Sequence, residues 1–425
     1  MMMRSGVRVT ADAFCCNRRD SWVIIGSVHD DKGGNRRSQS KDIRKMKALI
    51  AMSGGVDSSV AAKLMKDKGY ECIGATMRLY DREDDELYEA GAELTDMPAD
   101  GNTDESCSLR KACRTCCSEG DVADARAVAG KLDMLFHTLN YKAEFREKVI
   151  DKFTDSYERG ITPNPCIDCN RYLKFDILLK KAGELGCDKV VTGHYARIEK
   201  SPAGGYLLKK ALDSSKDQSY VLYMLTQEQL SHIEFPLGDM CKSDTRQIAD
   251  KEAFINSDKP DSQDICFVPD GDYGTVICRY TGRDYPEGDF VDKDGKILGR
   301  HKGIIYYTLG QRKGLGISAD RPLYVTGIDV KNNRVILGDN EDLFAKEAIF
   351  NDINWISGEA PEEGKSYHAK ARYRQKEQPG HLKRIDDETY VFIFDEPQRA
   401  ITPGQSLVVY DGDVVMGGGT IIRHE

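Results

Sequence analysis

The sequence predicts an α/β chain: a Rossmann-like parallel-sheet domain, then a small central β domain, then a C-terminal β-barrel. Three observations carry that expectation. An apolar run, Ala48-Leu49-Ile50-Ala51-Met52, feeds the turn Ser53-Gly54-Gly55-Val56-Asp57-Ser58 and then a helical pattern. From 46 to about 200, short apolar runs alternate with stretches of helical period, as in a parallel sheet with crossover helices. After about 265 the period falls to 2 and turn residues separate the runs, as in small barrels.

The first strand is the apolar run itself. Behind it, Gly54 and Gly55 let the backbone approach an anion with no Cβ in the way. The helix start that follows aims N–H groups and its dipole at phosphate. Val60, Ala61, Leu64 and Met65 form one apolar stripe, which Gly69 stops. Cys72 to Met77 is the second strand, and the acidic stretch from Asp81 to Glu105 reads as an exposed insertion. Ser118-Glu119-Gly120-Asp121 has capping-box spacing, and Val122, Ala125, Ala129 and Leu132 continue it as a helix. Leu135 to Leu139 is the next strand. Phe145, Val149, Phe153 and Tyr157, each four apart, mark a helix that Gly160 and Pro163-Asn164-Pro165 end. Leu173, Ile177 and Leu185 mark another, with a strand from Lys189 to Thr192 beyond it. Farther on, Tyr324 to Val330 and Arg334 to Leu337 flank Asn332-Asn333, a hairpin signal. Tyr390 to Phe394 is a strand, and Leu407 to Tyr410 and Val414-Val415 flank Asp411-Gly412-Asp413. The expected units are 1–45, 46–263, 264–340 and 341–425.

Residues 1–45 lack a helical or strand period. Asp12, Asp20, Asp30, Asp31 and Asp42 make them a poor targeting peptide, and Met46 reads as a start. They are expected to be an over-extended start or a disordered tail. No stretch approaches the ~20 apolar residues of a membrane helix. The chain is therefore expected in the cytoplasm, with no membrane partner. Thirteen cysteines among 425 charged-rich residues point to a reducing compartment, where thiols serve catalysis or metals more often than disulfides. A net charge of −9 argues against indiscriminate nucleic-acid binding but leaves room for local basic surface.

The turn at 53–58 is no Walker loop, because no Gly-Lys-Ser/Thr follows. It resembles the pyrophosphate loop of ATP pyrophosphatases, with Ser53, Ser58 and Ser59 as hydroxyl donors and Asp57 as a candidate Mg²⁺ ligand. A second signature is Pro163-Asn164-Pro165-Cys166-Ile167-Asp168-Cys169-Asn170. Its prolines stiffen the backbone, and Cys169 is expected at a helix start, where the dipole favours a thiolate. A third thiol, Cys266, lies in Asp261-Ser262-Gln263-Asp264-Ile265-Cys266-Phe267.

Further motifs follow in order: Thr192-Gly193-His194-Tyr195-Ala196-Arg197, Lys216-Asp217-Gln218-Ser219-Tyr220, Leu309-Gly310-Gln311-Arg312-Lys313-Gly314 and Thr402-Pro403-Gly404-Gln405-Ser406. With the loop and the cysteine segments, the chain from 46 to 425 resembles the tRNA-specific 2-thiouridylase family. The resemblance implies ATP-dependent 2-thiolation of a wobble uridine by a sulfurtransferase. Uracil C2 oxygen is adenylated, and sulfur arrives from a persulfide on Cys266, with Cys169 as nucleophile. A disulfide between the two would form in turnover. The resemblance also implies ATP contacts at Ala51, Met52, Ser53, Gly54, Gly55, Val56, Asp57, Ser58, Met77 and Gly193, with Mg²⁺. Ala51 stands where the family often has glycine. The implied partners are tRNA and an upstream persulfide donor, either a cysteine desulfurase or a relay protein.

Cys166 stands where many family members carry Asp. That puts an acid's role there in doubt and supplies three thiols, Cys166, Cys169 and Cys266, an alternative ligand set for an iron–sulfur cluster. Cys113-x-x-Cys116 beside Cys107 and Cys117 reads either as zinc ligands or as an incidental loop. The implied tRNA contacts are Asn164, Pro165 and Cys166 at the target base, His194, Lys216, Asp217 and Gln218, and Arg372, Tyr373 and Gln405 in the C-terminal unit. His194 is as readily structural. Arg372-Tyr373-Arg374-Gln375-Lys376 alternates cation and aromatic as a strand-like segment suited to RNA. Arg300, Lys302, Arg312 and Lys313 form a second basic cluster, either functional or solvated.

Overall fold

The computed structural model describes residues 45–80, 119–261, 265–268 and 271–424. The leading tail, the acidic insertion, Ser118, Ser262-Gln263 and the six cysteines Cys15, Cys16, Cys107, Cys113, Cys116 and Cys117 lie outside the described residues.

Strand β1 (Lys47–Ala51) is central, with Ala48, Leu49 and Ile50 fully buried, which is why the run carries no polar residue. It pairs in parallel with β2 (Glu71–Arg78) on one side and with β4 (Lys189–Val191) on the other. Beyond these lie β3 (Leu135–Asn140) and β7 (Ile233–Glu234), giving an all-parallel order β3-β2-β1-β4-β7. The order reverses between β1 and β4. That crevice at the strand C-termini is where doubly wound sheets bind ligands. Helix α1 (Val56–Asp67) leaves it directly, and α2 (Glu119–Lys131) crosses from β2 to β3.

Two longer helical runs follow. In the helix at 142–158, Phe145, Val149, Phe153 and Tyr157 are all buried. A spacing of four drifts about 40° per step around an α-helix. Here the turn Arg146–Ile150 is π-helical, and its wider winding keeps the stripe facing inward. The helix at 165–184 likewise contains a π segment, Cys169–Ile177.

The β expectation after 265 holds, with two corrections. Tyr273–Thr281 is a helix, capped by the Asp272 side chain and closed by Gly282 at φ 66°. Arg372 to Lys376 is a turn, because the Gln375 N–H donates to the Arg372 carbonyl and closes the chain on itself. The central sheet runs β10 (Tyr324–Asp329), β11 (Arg334–Gly338), β8 (Gly288–Asp292), β9 (Ile297–His301). Asn333, at φ 49°, makes the β10–β11 hairpin turn read from sequence. Six C-terminal strands close into an antiparallel barrel: β12 (Phe344–Trp355), β13 (Ser366–Lys370), β14 (Gln378–Arg384), β15 (Tyr390–Arg399), β16 (Ser406–Asp411) and β17 (Val414–His424). Pairing of β12 with both β15 and β17 seals it. A hairpin of the first domain, β5 (Ala196–Lys200) and β6 (Tyr206–Lys210), joins the barrel's edge through Val414 and Lys209.

Candidate active site

At the end of β1 the chain enters the glycine turn. Gly54 sits at φ 73°, and a Cβ there would lie 2.3 Å from the Asp121 carbonyl oxygen, so only glycine fits. Gly55, the N-cap of α1, has open space before it apart from Ser53 Oγ. Inside the turn, Ser58 Oγ donates to the Gly55 carbonyl at 3.0 Å and accepts from the Ser53 N–H at 3.2 Å. These bonds close the turn on itself ahead of α1, whose first N–H groups are the ones a helix leaves without an internal partner. Gly193, just past β4, packs onto it: a Cβ there would stand 2.8 Å from the Ser58 nitrogen. Met77, late on β2, packs against both the sheet core and the cluster that holds the thiols described below. Ala51 is half-buried and Met52 and Val56 are buried, so these three contribute walls rather than polar contacts.

Residues without a sequence signal complete the turn. Asn256 Nδ2 donates to the Gly54 carbonyl at 2.9 Å and to Ser59 Oγ at 3.0 Å, while its own Oδ1 is buried without a partner. Lys259 reaches Gly54 at 3.3 Å and is held by Asp121 and Asp124. Asp57 departs from a ready Mg²⁺ ligand. Both of its oxygens take the Lys242 ammonium, at 2.7 and 2.8 Å, and the Tyr195 hydroxyl adds a bond at 2.9 Å. Lys242 also meets Asp261 at 2.8 Å, and Asp261 gathers Lys216 and Arg246 as well. Burial works against its charge, yet this company of cations holds the Asp261 carboxyl down at about 2. One charged network thus ties the glycine turn to Asp261.

Several expected RNA contacts turn inward. Lys216 is in that network, 2.9 Å from Asp261. Asp217 takes the N–H groups of Ala211 and Ser219 and the Ser219 hydroxyl, and Gln218 accepts from the Tyr195 N–H at 2.9 Å. His194 is only 8% exposed, lies between Phe175 and Phe235, and sits 2.7 Å from Thr192 Oγ1. Gln405 donates both amide hydrogens within the protein, to the carbonyls of Thr162 (2.9 Å) and Pro163 (3.2 Å). Arg372 is half-buried, bonded to Thr402 Oγ1. Tyr373 is exposed, with its ring on Tyr220.

Asn164 caps the helix at 165–184, its side chain accepting from the Cys166 N–H at 3.2 Å, and Pro165 occupies the first helical position. Cys166 in that first turn is exposed. Cys169 is a turn deeper than expected and 9% exposed, so the helix-start position belongs to Cys166. Cys169 enters an apolar cluster with Phe145, Phe153 and Phe267, and Cys266 packs against the same cluster. The Cys266 carbonyl accepts the Tyr80 hydroxyl at 2.6 Å, and Phe267 wedges edge-on between Phe145 and Phe153. Between the two helix cysteines, Asp168 is buried against Lys152 at 2.6 Å; burial outweighs that cation and pushes its carboxyl up. Among the described residues, Cys166, Cys169 and Cys266 do not gather into a group that could hold a metal.

Comparison with known proteins decides the class. The model described as the tRNA methyl transferase HUP domain matches residues 46–270. The tRNA methyl transferase PRC-barrel domain matches 274–339, and the aminomethyltransferase beta-barrel domain matches 345–421. The tRNA-specific 2-thiouridylase MnmA of Clostridioides difficile (strain 630) is 50% identical over 376 residues, spanning 88% of this chain and 98% of the relative. The chain belongs to the tRNA-specific 2-thiouridylase family. The MnmA of Lachnoclostridium phytofermentans is 45% identical over 377 residues, 89% of this chain and 99% of its own. MnmA 1 of Thermoanaerobacter sp. (strain X514) is 48% identical over 378 residues, 89% and 98%. Membership makes this thiouridylase an enzyme of the tRNA sulfurtransferase class. Among the described residues no helix is long and apolar enough to cross a membrane.

Proposed function

We propose that this thiouridylase activates the wobble uridine of its tRNA with ATP and replaces the C2 oxygen by sulfur carried on Cys266. The uracil C2 oxygen attacks the α-phosphorus of ATP. A new P–O bond forms, the α–β bridge breaks, and pyrophosphate leaves into the turn at 53–58. In this reading the ATP site comprises Ala51 to Ser58, Met77 and Gly193. Activation matters because a bare carbonyl oxygen is a poor leaving group and AMP is a good one.

Cys266 holds a persulfide, loaded by a cysteine desulfurase or a relay protein. Its terminal sulfur attacks C2, and AMP departs with the original oxygen. The Cys169 thiolate then attacks the Cys266 sulfur of that adduct. The S–S electron pair stays on the sulfur bound to C2, and a Cys169–Cys266 disulfide forms. An external dithiol reduces it. The base reaches this site unstacked, beside Asn164, Pro165 and the exposed Cys166.

The supporting observation is that Cys169 and Cys266, nearly a hundred residues apart in sequence, pack into one apolar cluster. The persulfide reading is preferred to the iron–sulfur alternative because, among the described residues, Cys166, Cys169 and Cys266 do not gather into a group that could hold a metal, Cys166 being exposed and Cys169 buried. Mg²⁺ accompanies the nucleotide in this reading. Asp57 already gives both oxygens to Lys242, so the residues present make no ready magnesium site and no step runs through one.

The test supplies ATP, Mg²⁺, a persulfide donor and unmodified tRNA, and quantifies 2-thiouridine by mass spectrometry. Cys169→Ser and Cys266→Ser should each lose product by about 100-fold or more, while Cys166→Ser stays within a few-fold. Undiminished 2-thiouridine from Cys169→Ser refutes the relay.

A further inference from the structure

A cavity of about 350 Å³ opens between the helix at 142–158, the helix Tyr273–Thr281 and the segment after β9. Tyr157, Tyr273, Tyr306, Tyr307, Lys302 and Gln311 are among the residues that line it. None of the nucleotide or thiol residues lines it. Gln311 and Gly314 of the motif Leu309-Gly310-Gln311-Arg312-Lys313-Gly314, which the proposed chemistry leaves without a role, do line it.

Lys302 lines the cavity, and Arg312 and Lys313 lie in sequence between its lining residues Gln311 and Gly314; all three are exposed, and among the described residues none of the three forms an ion pair. Arg300, their neighbour in sequence, is paired with Asp289 at 2.8 Å. The Lys302 ammonium lies 3.9 Å from the centre of the Tyr306 ring. The acid in the wall, Asp272, is committed as a helix cap to the Thr275 N–H (3.1 Å) and hydroxyl (2.8 Å).

Flat π faces beside unpaired cations suit a base with its phosphate: tyrosine stacks the ring while lysine and arginine take the backbone. A space of this size is in the range of small-ligand sites. The position favours RNA over another polyanion. The Leu309 carbonyl accepts from Arg372 Nη2 at 3.5 Å, so the motif abuts the turn that presents Tyr373. A run of rings, Tyr273, Tyr157, Phe153 and Phe267, with centres 5.9, 4.9 and 5.3 Å apart, continues from the cavity to the residue beside Cys266.

We infer that this cavity takes a second, unpaired nucleotide of the tRNA, away from the wobble position. Its base stacks on Tyr306 and Tyr273, and its phosphate meets Lys302, Arg312 and Lys313. The inference rests on tRNA being the substrate, as proposed above.

Fluorescence anisotropy of the full chain with unmodified tRNA, between 50 and 200 mM salt, tests it. The triple variant Lys302→Ala, Arg312→Ala, Lys313→Ala should raise Kd about tenfold and reduce the slope of log K against log salt by about one. Tyr306→Leu should raise Kd about fivefold with the slope unchanged, since stacking releases no counterion, and Tyr306→Phe should bind as wild type. Turnover at saturating tRNA should stay within about twofold throughout. If both altered forms bind tRNA as wild type does while 2-thiouridine still forms, this inference alone falls. If wild type binds no tRNA, the parent reading falls with it. Unchanged tRNA affinity with loss of Cys266 loading by a donor protein overturns the RNA assignment in favour of a protein partner.

Discussion

His194 shows at the residue scale how burial sets chemistry. Its ring is enclosed by Phe175 and Phe235, and burial, aided by Lys174, holds its pKa well below the ordinary value. The folded pKa is depressed, so below about pH 6.5 the unfolded chain binds a proton that the folded chain refuses. Stability must therefore fall as pH drops from about 6.5, by up to about 1.4 kcal/mol per pH unit for each such histidine. Burial lowers His301 and His424 too, and they act in the same direction. Denaturant titrations at pH 7.5 and 5.5 should show His194→Gln losing about one proton's share of this dependence. An unaltered dependence contradicts the assignment. Gln405 is the second case. Gln405→Ala strands the carbonyls of Thr162 and Pro163, which lead into the cysteine helix. Turnover should fall about tenfold while tRNA Kd stays within twofold; the opposite split would show Gln405 acting as an RNA contact.

The helix carrying Cys166 and Cys169 depends on its start. Asn164 supplies the cap, so Asn164→Ala should cost about 1 kcal/mol in equilibrium unfolding. No measurable loss would mean the cap is dispensable. The stripe Phe145, Val149, Phe153 and Tyr157 builds the wall behind both thiols, and Phe153→Ala should cost about 3–5 kcal/mol by the same measurement. That stripe was legible because apolar spacing records which face is buried, whatever the winding. The π turns were not, since a spacing of four fits either helix. The helix Tyr273–Thr281 was missed because it is short and bracketed by Gly271 and Gly282, which read as turn signals. Arg372 to Lys376 misled because alternating side-chain types cannot reveal the Gln375 to Arg372 bond that closes a turn.

Across the whole molecule, local pattern gave the order of parts and long-range contact gave their use. The glycine turn was readable since Gly54 and Gly55 stand together beside a buried strand. Lys242, Lys259 and Asn256 were not, because each is a lone polar residue brought to the turn by the fold. The barrel was legible as strands but not as a clamp. Thr162 donates to the Pro403 carbonyl, and a Cβ on Gly404 would stand 2.3 Å from Ile161, so the C-terminal unit grips the loop before the thiol helix. Gly404→Ala should therefore lower turnover more than it lowers the melting temperature of the barrel, as read by calorimetry beside product formation; equal losses would indicate simple unfolding. The central claim is that the sulfurs of Cys169 and Cys266 act on one activated base. Its most direct test is a single turnover with Cys266 preloaded as persulfide and no reductant, followed by mass mapping of the cysteines. One Cys169–Cys266 disulfide should form for each 2-thiouridine made, whereas product formed with both thiols still reduced would contradict a shared role for the two sulfurs.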